Sequence, residues 1–315
     1  MFNTGINHFL QSFDSQFMAN LMKWISFDGN TYFLIFLLFA FFAVYSRRRG
    51  IILVNIFMWT VVATVFLKMA IDFPRPLAID PSLASFGKPY GPDLTALQPH
   101  SFFELFSHEL LKITRESEVG RMGFPSGHVS FITSIMFGSA LFFKKRWYRV
   151  FASLIIVLTM LSRVYLAQHF TGDVIGGLVL GSTITLLLWY LNKSFKLSDH
   201  IEVNRTILIF LMSPLVLLLF SKYLPTWQTG GLIGINIAYL LALRVSRFRA
   251  EPESWSARVF EAVIFASIIS FVAAINSHTH FNIPPLFSIL IYAAINATGL
   301  LVAYALTTLL IRRNS

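Results

Sequence analysis

Nine apolar runs organise this chain. They fall at roughly 31–45, 51–70, 127–143, 150–167, 174–191, 206–223, 230–244, 259–276 and 286–311. A helix crossing the hydrocarbon core of a bilayer needs about 20 apolar residues. Several runs are shorter, and flanking Gly, Ser, Tyr and Trp residues extend them. Composition agrees: 56% of the 315 residues are hydrophobic, 33 are Phe, and mean hydropathy is +0.67. Only 13% are charged, against about 25% in a soluble domain. The pattern predicts an all-α, polytopic transmembrane helical bundle of about nine spans.

The net charge of +10 is an orientation signal. Arg47, Arg48 and Arg49 follow the first run, and Lys144, Lys145, Arg146 and Arg149 the third. Lys193, Lys196 and Arg205 follow the fifth, Arg244, Arg247, Arg249 and Arg258 the seventh, and Arg312 and Arg313 close the ninth. That puts 16 of the 25 Lys and Arg on one side, which the positive-inside rule makes cytoplasmic. Charge placed this way argues against a nucleic-acid partner. The chain has no cysteine, which excludes disulfides, thiolate metal sites and a cysteine nucleophile.

Residues 1–30 lack the basic start of a secretory signal, and Asp14 and Lys23 interrupt any apolar core. Phe2, Ile6, Phe9, Phe13, Phe17 and Leu21 recur at helical spacing. Two readings fit: an amphipathic helix in the membrane interface, or a first helix packed into the bundle. Within the long polar segment 74–124, Asp80-Pro81, Gly87-Lys88-Pro89 and Gly91-Pro92 are turn punctuation. Its second half predicts a helix that begins at a capping box, Ser101-Phe102-Phe103-Glu104. That helix serves either as a surface element or as a lid.

Ionisable residues at run boundaries need a reason. Lys68 and Arg75-Pro76 close the second run, and Pro125-Ser126-Gly127-His128 opens the third. Ser162-Arg163, His169 and Asp173 join the fourth to the fifth. On a helix His169 and Asp173 share a face. A carboxylate bonded to one imidazole nitrogen frees the other as a base or nucleophile. Asp173 also fits a plain N-cap. The orientation set by the basic clusters places all three groups on the outer side.

Together these groups read K-x6-R-P, P-S-G-H and S-R-x5-H-x3-D. This resembles the type-2 phosphatidic acid phosphatase superfamily, which includes membrane lipid phosphatases, glucose-6-phosphatase and soluble vanadium haloperoxidases. All eleven fixed positions are present, and the likeness covers about Thr31 to Tyr190. It implies a six-helix phosphatase core over 31–195; the amphipathic interfacial stretch at 1–30 and the extra C-terminal spans over 206–315 are read from periodicity and the apolar runs. It implies His169 as nucleophile, Asp173 as its orienting carboxylate and His128 as general acid. Lys68, Arg75, Ser126, Gly127 and Arg163 would bind phosphate.

No metal or other cofactor is expected, because three fixed cations and a helix N-terminus suit a phosphoryl group. His278 and His280 read as loop residues, and His8, His100, His108 and His200 carry no telling spacing. The expected activity is hydrolysis of a lipid phosphate or diphosphate through a phosphohistidine. The expected setting is a bacterial inner membrane, with the site on the periplasmic side and a membrane lipid as substrate. Alternatives are a lipid phosphotransferase using the same intermediate, a hexose-phosphate phosphatase, or, in another class, a transporter.

Overall fold

The structure is a computed structural model that describes all residues except 14, 28–30, 45, 87, 102, 118, 198–204, 246–253, 280 and 313–315. Asp14, Gly87, Phe102, His200, Arg247, Arg249, His280 and Arg313 therefore lie outside the described residues. The helices are α1 (Gly5–Gln11), α2 (Gln16–Phe27), α3 (Thr31–Val44), α4 (Arg47–Ile71), α5 (His108–Ser117), α6 (Gly127–Phe143), α7 (Arg146–Tyr165), α8 (Thr171–Phe195), α9 (Arg205–Met212), α10 (Thr226–Arg244), α11 (Trp255–His278) and α12 (Pro285–Arg312). A 3-10 stretch, Ser213–Tyr223, continues α9. No strand occurs among the described residues. The fold is an all-α membrane bundle.

Among the described residues, six helical segments are long and apolar enough to cross a bilayer: Arg47–Ala78, Arg146–Tyr165, Thr171–Phe195, Arg205–Tyr223, Trp255–His278 and Pro285–Leu310. Gly127–Phe143 is apolar but shorter. The runs expected at 31–45 and 230–244 are helical and fall outside that set. α3 has 14 residues, and α10 carries Gln228, Asn236 and three glycines, which lower its hydropathy.

The chain divides into two compact units, residues 1–30 with 63–183, and residues 31–62 with 184–315. In the second unit α3 packs on α11, and α10 and α11 pack on α12. α10 is buried along most of its length. A Cβ on Gly234 would lie 2.2 Å from the Ala293 carbonyl oxygen, and one on Gly230 2.5 Å from the Tyr292 Cβ. The G-x-x-x-G face lets two backbones meet at a distance that side chains forbid. Asn55 and Asn236 exchange two buried amide hydrogen bonds of 2.9 Å. Glu261, near the start of α11, is fully buried and pairs with Arg47 at 2.6 Å.

In the first unit α6, α1 and α2 all pack on α7. The N-terminal stretch forms two helices, broken around Ser12 and Phe13. Phe2 is buried, whereas Phe9, Phe17 and Trp24 are exposed. Phe2 lies 5.5 Å from Phe73, 5.3 Å from Phe106 and 6.3 Å from Phe170 between ring centroids. Phe124 joins the same cluster. Aromatic pairs of this kind add about 0.5–1.5 kcal/mol each beyond area burial. This cluster ties the N-terminus to all three motif-bearing segments.

A second anchor is polar. Asp80 is buried and lies 2.8 Å from His8 Nε2. Burial pushes its carboxyl up, but hydrogen bonds from Ser82, Thr4 and His8 outweigh that and hold it below the usual carboxylate range.

The segment 74–124 is stitched to the end of α4. Arg75 N–H donates to Gly120 (2.7 Å), Gly91 to Leu77 (2.8 Å), Leu94 to Ile79 (2.8 Å) and Gly123 to Phe73 (2.7 Å). Gly91 passes where a Cβ would lie 2.2 Å from the Ala78 carbonyl oxygen. The expected helix exists but starts later. Glu104 does accept from the Ser101 and His100 N–H groups, yet they form a turn. Ser107 takes the cap position, its hydroxyl accepting from Leu110 N–H at 3.2 Å. Phe106, just before that cap, is drawn into the aromatic cluster, and the chain cannot wind into a helix until it has passed.

Candidate active site

The motif residues all lie in the first unit. Lys68 sits in the last turn of α4 and Arg75 just past its end. Ser126 takes the N-cap position of α6, with Gly127 and His128 in the first turn. Arg163 lies in the last turn of α7, His169 in the α7–α8 turn, and Asp173 in the first turn of α8.

His169 is 2% exposed and Asp173 fully buried. The His169 Nδ1 is 3.3 Å from Asp173 Oδ2. The same carboxylate oxygen accepts from Phe170 N–H at 3.0 Å, so Asp173 also closes the start of α8. Asp173 is the third residue of α8 and not its N-cap; from there one side chain reaches back to the N–H of the residue before the helix and also meets the imidazole. Its backbone oxygen accepts from Ser126 N–H at 2.9 Å, which fixes the second motif to the third.

The charges of Arg75, Lys68 and Arg163 all bear on the His169 ring, and His128 lies within the same field. Burial pushes the His169 imidazole well below its ordinary value, and those cations push it further. The ring is therefore neutral at neutral pH, the form a nucleophile requires. With Nδ1 engaged by Asp173, Nε2 is the nitrogen available for chemistry.

Each cation is aimed by a neighbour. Lys68 Nζ donates to the Met122 and Gly123 carbonyls at 2.6 and 3.4 Å. Arg75 Nε donates to the Arg121 carbonyl at 3.3 Å, and Nη1 reaches Gln168 Oε1 at 3.5 Å. Arg163 Nη1 donates to the Ser26 hydroxyl. The Ser126 hydroxyl is fully buried, does not cap its own helix, and has no protein partner among the described residues. A buried hydroxyl without a partner costs about 1–3 kcal/mol, and an anion at the α6 N-terminus would satisfy it. Three cations against the Asp173 carboxylate leave the cluster positive, as phosphoryl chemistry needs. No group of three or more His, Asp or Glu side chains suited to hold a metal ion occurs among the described residues.

Residues 49–196 match the PAP2 superfamily, and every motif position falls within them. The crystal structure of Aquifex aeolicus LpxE is similar to this chain at 17% identity and a TM-score of 0.45, covering 60% of this chain and 94% of that one. No curated protein matches the chain.

The PAP2 segment does not hold every residue that builds the site. Asn7, fully buried in α1, donates Nδ2 to the Val164 carbonyl at 2.8 Å and to the His169 carbonyl at 3.2 Å. Gln11 donates to the Tyr165 carbonyl at 2.8 Å, and Met1 carbonyl accepts from Gly172 N–H at 3.2 Å. With Ser26 on Arg163, the first 26 residues grip the turn that carries His169. Sequence reasoning missed these residues. Asn7 is 162 positions from His169, and no local spacing connects them.

Proposed function

We propose that this chain is an integral membrane phosphatase that hydrolyses a lipid phosphate or diphosphate through a phosphohistidine at His169. The observation that carries this reading is the buried, neutral His169 held by Asp173 and faced by three cations, two from the first motif and one from the third. The match of residues 49–196 to the PAP2 superfamily supports it.

In the first step His169 Nε2 attacks phosphorus, and the bond from phosphorus to the leaving oxygen breaks. Asp173 stabilises the positive charge that develops on the ring. His128, at the first turn of α6, gives its proton to the leaving oxygen. In the second step His128 takes a proton from water, the water oxygen bonds to phosphorus, and the N–P bond breaks to release phosphate. Lys68, Arg75, Arg163 and Ser126 hold the phosphoryl oxygens throughout, guanidinium groups offering paired donors. The charge neutralisation resides in these side chains, so the reaction is proposed to need no metal.

Phosphate release by the purified protein from long-chain lipid phosphates and diphosphates, with and without a chelator, tests this. We expect turnover that survives the chelator and disappears in His169→Ala. Near wild-type hydrolysis by His169→Ala would overturn the covalent route. Activity lost to the chelator and restored by Mg²⁺ would overturn the metal-free one.

A further inference from the structure

A cavity of ≈ 290 Å³ opens beside the cluster, on the far side of Arg75. Arg75, Lys88, Arg121 and Gln168 contribute to its wall, and no carboxylate does. Its volume is at the lower end of small-molecule sites, about 300 Å³. The walls are fixed by the backbone bonds that stitch residues 75–79 to 91, 94 and 120. Arg121 is held by Asp72 at 2.6 Å, with Arg115 3.8 Å from the same oxygen. Asp72 thus offsets the guanidinium charge of Arg121, and Arg75 and Lys88 are the other two cations of the wall. Lys88 is exposed, and its backbone exchanges hydrogen bonds with the Ser85 hydroxyl. Arg75 bridges the two places, since its charge bears on His169 and it lines this cavity.

We propose that this cavity is a second phosphate-binding position, next to the reacting one and sharing Arg75 with it, with Lys88 as its own cation. Its occupant is a phosphate group. One source is the phosphate left on the lipid when a diphosphate is cleaved; the other is the inorganic phosphate leaving His169. The proposal rests on the reading that hydrolysis takes place at His169.

Lys88→Ala separates the outcomes, because its side chain is exposed and outside the reacting cluster. The probes are a lipid monophosphate, the matching diphosphate and inorganic phosphate as product inhibitor. Lys112→Ala, an exposed charge on α5, controls for surface potential. We expect Lys88→Ala to leave kcat/KM for the monophosphate within about two-fold. It should raise either KM for the diphosphate or the inhibition constant of inorganic phosphate by about ten-fold, the worth of one charge-assisted hydrogen bond. The first change identifies the retained phosphate as occupant, and the second the product. Lys88→Arg should restore either.

No change in both quantities, an equal change in Lys112→Ala, or a uniform loss on every substrate would overturn the cavity assignment while the phosphatase reading stands. If the wild-type chain releases no phosphate, the His169 reading fails instead. Calorimetric binding of inorganic phosphate to wild type and Lys88→Ala then decides the cavity, and equal affinity overturns it.

Discussion

At the scale of single residues, the proposed chemistry depends on how His169 is held. Its imidazole lies well below the ordinary 6.5, so lowering the pH through 6.5 does not protonate it. An unperturbed histidine would already be half protonated there. We therefore expect the acid limb of kcat/KM to lie clearly below pH 6.5, and a midpoint at 6.5 or above would contradict the buried, cation-flanked ring. Asp173→Asn should retain activity above His169→Ala yet about a hundred-fold or more below wild type, because it removes orientation and charge support and not the nucleophile. Asn7 acts one step further out. Its amide holds the Val164 and His169 carbonyls, and each such bond contributes about 1 kcal/mol. Asn7→Ala should lower kcat by about ten-fold with little change in KM, since displacement of the nucleophile and not of the phosphate cations is at stake. A parallel rise in KM, or no kinetic change, would assign Asn7 to general stability alone.

At the scale of elements, the sequence exposes what repeats locally and hides what is joined at long range. The six long apolar helices and the three motif groups at helix ends are legible because each signal sits within a few neighbouring residues. Hydropathy reports the first, and boundary charges such as Lys68 and Arg163 report the second. The break at Ser12 and Phe13, the shift of the cap from Ser101 to Ser107 and the buried Arg47–Glu261 pair are not legible. Each is decided by a partner far along the chain: Phe2 against Phe170, Phe106 against Phe73, and an arginine 214 positions from its glutamate. α10 shows the same limit. Its glycines signal close packing, but which helix they meet is known only from Tyr292 and Ala293 on α12. That contact predicts that Gly234→Ala, with its Cβ 2.2 Å from a backbone oxygen, will destabilise the chain by about 1–3 kcal/mol. Gly231→Ala meets the flexible tip of Met58 at 3.0 Å and Asn296 only at 3.9 Å, and should cost far less. Thermal unfolding of both variants in detergent checks the difference, and equal midpoints would mean that α10 and α12 are not so close.

At the scale of the whole molecule, the question is where the phosphate meets the membrane. The basic clusters predict that the segment 74–124 faces outward. In a chain without cysteine, an impermeant thiol reagent should label Ala96→Cys but not Lys145→Cys in intact cells, and the reverse pattern would invert the orientation. The reacting groups stand at helix ends, and the outer stripe of α7, Val150, Leu154, Val157 and Leu161, is exposed up to the position before Ser162-Arg163. An acyl chain can therefore stay in the bilayer beside α7 while its phosphate reaches Arg163, Lys68 and Arg75. Each buried methylene is worth about 0.8 kcal/mol, so a longer chain concentrates the substrate at the level of the site. A water-soluble hexose phosphate gains nothing from this. At equal bulk concentration in the presence of micelles, kcat/KM should therefore rise with chain length and exceed that for glucose 6-phosphate. When surface concentrations are matched instead, the advantage of chain length should shrink, because partition and not a protein pocket supplies it. Equal efficiency for short and long chains at matched bulk concentration would remove the membrane from substrate selection. A preference for the sugar phosphate would do so more strongly and would place the specificity in the polar loops. Either result would leave the proposed chemistry at His169 intact, since that chemistry depends only on the phosphoryl group.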